Sequence, residues 1–258
     1  GNNNDKLIVA DNIAKYYAIN INTGDLLWSK NNTSPFNSQI KVFKDRFFVV
    51  DFQNILRCFS LKDGSELWNY KTDQSFIKSQ KKLSLIIVNN KVLFNNSIGD
   101  ITAVDASSGN LIWQTPTQDS LVYDDSIFLK TSVIIADDKN LYFSNNKNKF
   151  FSLDLQSGNL NWTQEINSNL RPTLIEEYLF TVSMKGYFII IEKKNGNIIR
   201  INDIFNQIKD SKRAKIKPTG FVVGRDSIYI TTSHGRLIEA DIKSGIIKST
   251  IKVDSSKI

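Results

Sequence analysis

Short apolar runs of strand length recur along the chain, each cut off by Gly, Asn, Asp or Ser. The stretch "ITAVDASSGNLIW", Ile101 to Trp113, is the clearest. It reads as a strand, a tight Ser-Gly turn and a second strand ending in tryptophan. Runs such as "RFFVVD", "KVLFNN", "NLYFSN", "YLFTVS" and "SIYITT" predict a strand before it. Further upstream, "QIKVFK", "LSLIIV", "KTSVII", "RPTLIE" and "TGFVVG" predict a fourth. Almost nothing has helical period. The exception is "NDIFNQIKDSKRAKI", Asn202–Ile216, where a short helical turn is expected in a long connecting loop.

The hairpin repeats. Aligned on glycine, six copies appear: "YYAININTGDLLW", "LRCFSLKDGSELW", "ITAVDASSGNLIW", "FFSLDLQSGNLNW", "FIIIEKKNGNIIR" and "LIEADIKSGIIKS". The anchors are Gly24, Gly64, Gly109, Gly158, Gly196 and Gly245, successively 40, 45, 49, 38 and 49 residues apart. A period of about 40–50 residues belongs to propeller blades. Four antiparallel strands per copy make a blade. The first copy lacks its first strand, so 23 strands are expected. The fold class is therefore all-β: a β-propeller of four-stranded antiparallel blades, six units visible, in one domain over residues 1–258.

Each copy has a physical rationale. Before the glycine stands a small polar residue, and Gly supplies the positive φ that a tight turn needs. Four residues before it stand Asn20, Ser60, Asp105, Asp154, Glu192 and Asp241. Such side chains accept backbone N–H bonds from the turn. Ten residues before the glycine, Asn54, Gly99, Asn148, Gly186 and Gly235 mark a second hairpin. Trp28, Trp68, Trp113 and Trp162 occupy one place in four copies. Four equivalent positions around a ring cannot converge on one ligand, so each is expected to pack between blades with its N–H bonded locally. Arg200 and Ser249 stand there in the last two copies, which should pack differently.

Composition changes the picture little: 41% hydrophobic and 23% charged residues suit a globular fold, and no apolar run approaches a membrane span. The opening "GNNNDKLIVAD" reads as part of the fold rather than as a signal peptide. Net charge is +7, with basic runs at Lys78–Lys82 and Lys209–Lys217. Without interleaved aromatics these predict a solvated lysine surface and no nucleic-acid site.

Several chemistries lack their residues. Cys58 is the sole cysteine, so no internal disulfide forms; mid-strand, on the face opposite Phe59, it reads as a core thiol. His234 is the sole histidine and lies in "SHGR", a turn, which excludes a multi-histidine metal site. No nucleophile elbow or Gly-rich phosphate loop is present.

The pattern Ala-x-Asp-x-x-x-Gly-x-x-x-Trp, clearest in "AVDASSGNLIW" and "SLDLQSGNLNW", resembles the PQQ-type propeller repeat across the whole chain. That repeat has two branches, the quinoprotein dehydrogenases and the BamB family. The chain resembles the latter, non-enzymatic lipoproteins of the machinery that inserts β-barrels into the bacterial outer membrane. The order "NNKVLFNNSIGDITAVDASSGNLIW" then "DSLVYDDSIFLKTSVII" follows that family, and "GIIKSTIKVDSSKI" resembles the segment leading into its final blade. The resemblance implies a ring of seven or eight blades, so either further blades lie outside this chain, the favoured reading, or Ser255–Ile258 closes a smaller ring.

The resemblance also implies a partner-binding loop after the third tryptophan, at Ser120, Leu121, Val122, Tyr123 and Asp124. Asp124 replaces the family's basic residue, and "EINSNLRPT", Glu165–Thr173, is too short for the family's acidic loop. The implied function is a scaffold with no cofactor, metal or catalytic residue. Its partners would be the insertase's periplasmic domains and unfolded outer-membrane clients. It would act as a monomer on the periplasmic face of the outer membrane, touching the membrane only through a lipid anchor outside this chain. Two other readings stand beside it. One is a PQQ-dependent or other small-ligand-binding propeller, for which Cys58 excludes the cysteine pair of many members. The other is the sensor domain of a larger receptor.

Overall fold

In the computed structural model, residues 5–73, 81–117, 130–206 and 208–253 are described. They form two compact units, Gly1–Leu129 and Lys130–Ile258. The first unit holds three antiparallel sheets. Blade 1 is three-stranded: β1 (Lys6–Ala10), β2 (Lys15–Asn20) and β3 (Leu26–Asn31). Blade 2 comprises β4 (Lys41–Phe43), β5 (Arg46–Val50), β6 (Ile55–Ser60) and β7 (Glu66–Lys71). Blade 3 comprises β8 (Leu85–Val88), β9 (Lys91–Asn95), β10 (Ile101–Asp105) and β11 (Leu111–Thr115).

The second unit holds three four-stranded sheets. Blade 4 comprises β12 (Ile135–Ala136), β13 (Asn140–Ser144), β14 (Phe150–Asp154) and β15 (Leu160–Gln164). Blade 5 comprises β16 (Thr173–Ile175), β17 (Tyr178–Val182), β18 (Tyr187–Glu192) and β19 (Ile198–Asp203). Blade 6 comprises β20 (Pro218–Val223), β21 (Ser227–Thr232), β22 (Arg236–Asp241) and β23 (Ile247–Lys252). Strands pair in chain order in every sheet, the meander of a propeller blade. The expected helical turn is α1 (Asp210–Arg213), in the link between blades 5 and 6.

In blades 2 and 5 the middle strands are apolar on both faces because both are covered. In blade 2, Phe47, Val49 and Phe59 pack with Tyr16 of blade 1. The alternate residues Phe48, Val50, Leu56 and Cys58 pack with Leu85, Val92 and Phe94 of blade 3. Period-2 alternation thus sends successive side chains into two different cores. Blade 5 repeats the arrangement. Leu179, Ile189 and Ile191 meet Tyr142 and Phe150 of blade 4. Phe180, Val182 and Phe188 meet Ile228, Ile230 and Ile238 of blade 6. Each such side chain contributes about 1.5–3 kcal/mol on burial. The last strand of a blade faces outward: Ile198, Ile199 and Ile201 of β19 are all exposed.

One regularity of the ladders has no counterpart in the hydrophobic pattern. Every pairing of a blade's last two strands shifts register once, between Ala18/Ile19, Cys58/Phe59, Ala103/Val104, Ser152/Leu153, Ile190/Ile191 and Glu239/Ala240. The bulge falls just after the glycine turn and just before the tryptophan position. A bulge bends its strand and re-aims the following side chain.

Candidate functional site

Each glycine turn is closed by the same bonds. The glycine N–H donates to the carbonyl four residues earlier, from Gly24 to Asn20 at 2.8 Å through to Gly245 to Asp241 at 2.8 Å. The side chain at that earlier position accepts from the turn, as its identity predicts. Asp105 Oδ1 accepts the N–H groups of Ser107 and Ser108 at 2.9 and 2.8 Å; Asp154 and Asp241 do the same in their turns. Asn20 accepts from Asn22 and Thr23, and Ser60 from Lys62. Glu192 departs from this pattern and takes the Asn195 amide. The Ser108 N–H holds the Asp105 carboxyl below the usual carboxylate range, and that of Ser244 does the same for Asp241. Both side chains are therefore structural anions.

The tryptophans are latches between blades. The Trp28 ring lies against Gly64, Trp68 against Gly109 and Trp162 against Gly196, so close that a Cβ on any of these glycines would sit 2.6–2.7 Å from ring carbons. All three glycines have positive φ, between 73° and 78°. Only glycine meets both conditions at once. Trp113 is buried, and Gly158 also has positive φ. The expected local bond of the indole N–H holds at Trp162, which donates to the Lys193 carbonyl at 3.0 Å. It does not hold at Trp28 or Trp68, whose buried N–H groups have no acceptor among the described residues. There the ring carbons sit over the next turn's glycine, and packing alone positions the indole.

The fifth copy shows how a latch works without tryptophan. Arg200 donates to the Lys243 carbonyl at 2.6 Å, in the blade 6 turn. Asn202, two residues later, packs against Gly245, which also has positive φ. In the sixth copy Ser249 bonds Glu239 within its own blade at 3.2 Å.

A second set of turns carries a signal that sequence reasoning missed. Thirteen residues before each glycine stand Asp11, Asp51, Asn96, Asn145, Ser183 and Thr232. Each accepts backbone N–H bonds across the turn between second and third strands: Asp51 Oδ1 from Gln53 and Ile55, Asn96 from Ile98 and Asp100, Asn145 from Lys147 and Lys149, Thr232 from Arg236. The residue three positions later has positive φ in all six turns, from 58° at Asn54 to 94° at Gly99.

At Asp51 this turn also anchors a buried ion pair. Arg57 Nε donates to Asp51 Oδ2 at 2.8 Å, and its two terminal nitrogens reach Glu66 at 2.7 Å and Thr33 at 3.1 Å. The Asp51 side chain has no solvent exposure. Both its oxygens are bonded, which is what a buried carboxylate requires.

The remaining candidates resolve simply. Cys58 is fully buried, and burial pushes its thiol up to about 12. A maleimide at mildly alkaline pH should leave Cys58 unmodified in the folded protein and label it fully once denaturant is added. Labelling of the folded protein, read by mass, would contradict that reading. His234 is half-buried beside the Ser233 hydroxyl at 3.3 Å. Burial raises the Asp100 carboxyl above its ordinary range. Among the described residues, no group of three or more His, Cys, Asp or Glu could hold a metal ion. Ser120, Leu121, Val122, Tyr123 and Asp124 lie outside the described residues.

Repeated four-stranded meanders, latched tryptophan to glycine, define a β-propeller built of PQQ-type repeats. The sequence profile of the outer membrane protein assembly factor BamB matches residues 1–202, and the chain belongs to that family. Its relatives include the BamB of Shewanella oneidensis, 22% identical over 255 residues, covering 97% of this chain and 62% of that one. The BamB of Moranella endobia is 22% identical over 263 residues, covering 97% and 63%. The chain thus spans a little under two thirds of the length of these relatives. The crystal structure of BamB from Moraxella catarrhalis has the same fold, with a TM-score of 0.78 at 16% identity over 97% of this chain and 74% of that one.

Proposed function

We propose that this protein is a non-enzymatic outer-membrane assembly factor acting at the periplasmic side of that membrane. The observation that carries the proposal is the family match over residues 1–202. A single propeller domain over residues 1–258 and the loop Ser120–Asp124 as its partner-binding element belong to the same proposal. The physics supports a binding role. The glycine turns of the described blades are closed by their own backbone and side-chain bonds, which suits the blades to serve as a frame. Contacts then fall to loops such as the one carrying Leu121 and Tyr123, whose apolar bodies suit anchoring in a partner's pocket. The partner of this reading is the periplasmic part of the barrel insertase.

The test is co-purification of this protein with the insertase's soluble periplasmic domains. The wild-type chain should be retained. Leu121→Asp with Tyr123→Ala should weaken retention at least tenfold with the fold unchanged by circular dichroism. Undiminished retention of the double variant overturns the loop assignment. No retention of wild type, with a saturable thermal shift from PQQ and Ca²⁺, would replace the scaffold with a cofactor-binding propeller.

A further inference from the structure

Strands run back and forth between two ends of each blade, so topology sorts the connecting residues into two sets. At one end of the second unit lie the glycine turns and the turns between first and second strands. That end carries Asp137, Asp154, Glu177, Glu192, Asp226 and Asp241. Its lysines are partly neutralised: Lys193 pairs with Asp137 and Glu177, and Lys248 with Asp241. At the other end lie the turns between second and third strands and the links between blades, and there the sign reverses. The link 204–217 alone holds five basic residues and one acidic one. Lys209, Lys212, Lys215 and Lys217 are exposed, and none pairs with a carboxylate among the described residues.

This link is fixed in place. The Ile204 N–H donates to the Gly186 carbonyl at 3.0 Å, and the Phe205 ring packs on Gly186. At the far end Lys217 N–H donates to Ser233 Oγ at 3.0 Å, and Ser233 N–H returns a bond to the Lys217 carbonyl at 2.8 Å. The link therefore lies across two neighbouring turns, which add exposed Lys185 and Arg236. Arg213 takes Asp203 with two bonds, at 2.7 and 2.8 Å, and its guanidinium sits 5.4 Å over the Tyr187 ring. Asp203 is thereby neutralised, and Tyr187 is covered.

We propose that this end of the second unit is an electrostatic docking surface for the anionic phospholipid headgroups of a membrane. The count of basic residues along the sequence suggests only a solvated lysine surface; the fold gathers the exposed lysines of the link with Lys185 and Arg236 at one end and puts most of the second unit's carboxylates at the other. The unpaired cations are mostly lysines, point charges with no fixed fork geometry, which suit a fluid array of phosphates. Nucleic acid is disfavoured because the aromatics here, Phe205 and Tyr187, are buried and half-buried and offer no stacking platform. An acidic peptide would need a groove or a free strand edge, and this surface consists of turns and a short helix.

The experiment is vesicle co-sedimentation of the chain, with vesicles of phosphatidylcholine alone and of phosphatidylcholine with phosphatidylglycerol. Binding should require phosphatidylglycerol and fall steeply with added salt. At about fivefold in affinity per lysine, Lys209→Gln/Lys212→Gln/Lys215→Gln should bind on the order of 100-fold more weakly. Lys139→Gln/Lys194→Gln/Lys243→Gln, at the opposite end, should bind as wild type. Equal binding to neutral vesicles, or an equal loss in both triple variants, overturns the proposal. So does binding of polyglutamate or single-stranded DNA that persists at salt concentrations that release the protein from the anionic vesicles. Neither result bears on retention by the insertase, so this proposal and the assembly-factor reading fail separately.

Discussion

Arg57→Met should destabilise the first unit by about 3 kcal/mol, lowering its melting midpoint by on the order of 10 °C. The methionine fills much of the space the arginine stem occupied, so the loss is electrostatic. Asp51 keeps its bonds from Gln53 and Ile55 but loses the guanidinium at 2.8 Å, and it has no solvent to replace it. The charge must then stay buried without a partner, the situation that makes breaking such a pair costly. Asp51→Asn preserves the side-chain oxygen that closes the turn and removes the charge. The double variant Arg57→Met/Asp51→Asn should therefore recover at least half of the single variant's loss. Chemical denaturation followed by tryptophan fluorescence reads this out, and strict additivity of the two substitutions would show the pair contributes no coupling.

The repeat carried much of this fold in plain view. Six glycines at blade spacing, a bonding side chain four residues before each and a tryptophan four residues after four of them were enough to predict 23 strands, the number among the described residues. They also placed Cys58 and Phe59 on opposite faces, where the two cores indeed divide them. Three things were hidden, for different reasons. The acceptors at the second set of turns are two Asp, two Asn, a Ser and a Thr; the chemistry repeats while the residue type does not. The bulges leave no compositional trace, because the inserted positions Ile112 and Asn161 have nothing in common. The charge polarity of the second unit needs strand direction, since Lys185, Lys215 and Arg236 are far apart along the chain and share an end only once the meander is known. The loop at Leu121 and Tyr123 remains a proposal drawn from resemblance, because its residues lie outside those described.

The latch makes the sharpest demand on one residue type, and comparing two glycines isolates it. Gly24 and Gly109 have nearly the same backbone, φ of 78° and 76°. Alanine at either position accepts the left-handed conformation at about 1–2 kcal/mol. Around Gly24 no atom lies within 4 Å of an added Cβ, so Gly24→Ala should cost only that. At Gly109 the added Cβ would sit 2.6 Å from the Trp68 ring. That ring is itself wedged 5.7 Å from Phe48, centroid to centroid, so it cannot slide aside freely. Overpacking adds about 1–3 kcal/mol, and Gly109→Ala should cost on the order of 3 kcal/mol in all. Trp68→Ala removes the obstruction and the latch together, at a cost of about 3 kcal/mol for a large aromatic. In that background Gly109→Ala should fall back to the cost measured at Gly24. The coupling between the two sites, about 2 kcal/mol and opposite in sign to the single costs, is the signature of contact between blades 2 and 3. If Gly109→Ala costs the same with and without Trp68, the glycine serves its own turn only, and the tryptophan is merely a buried side chain.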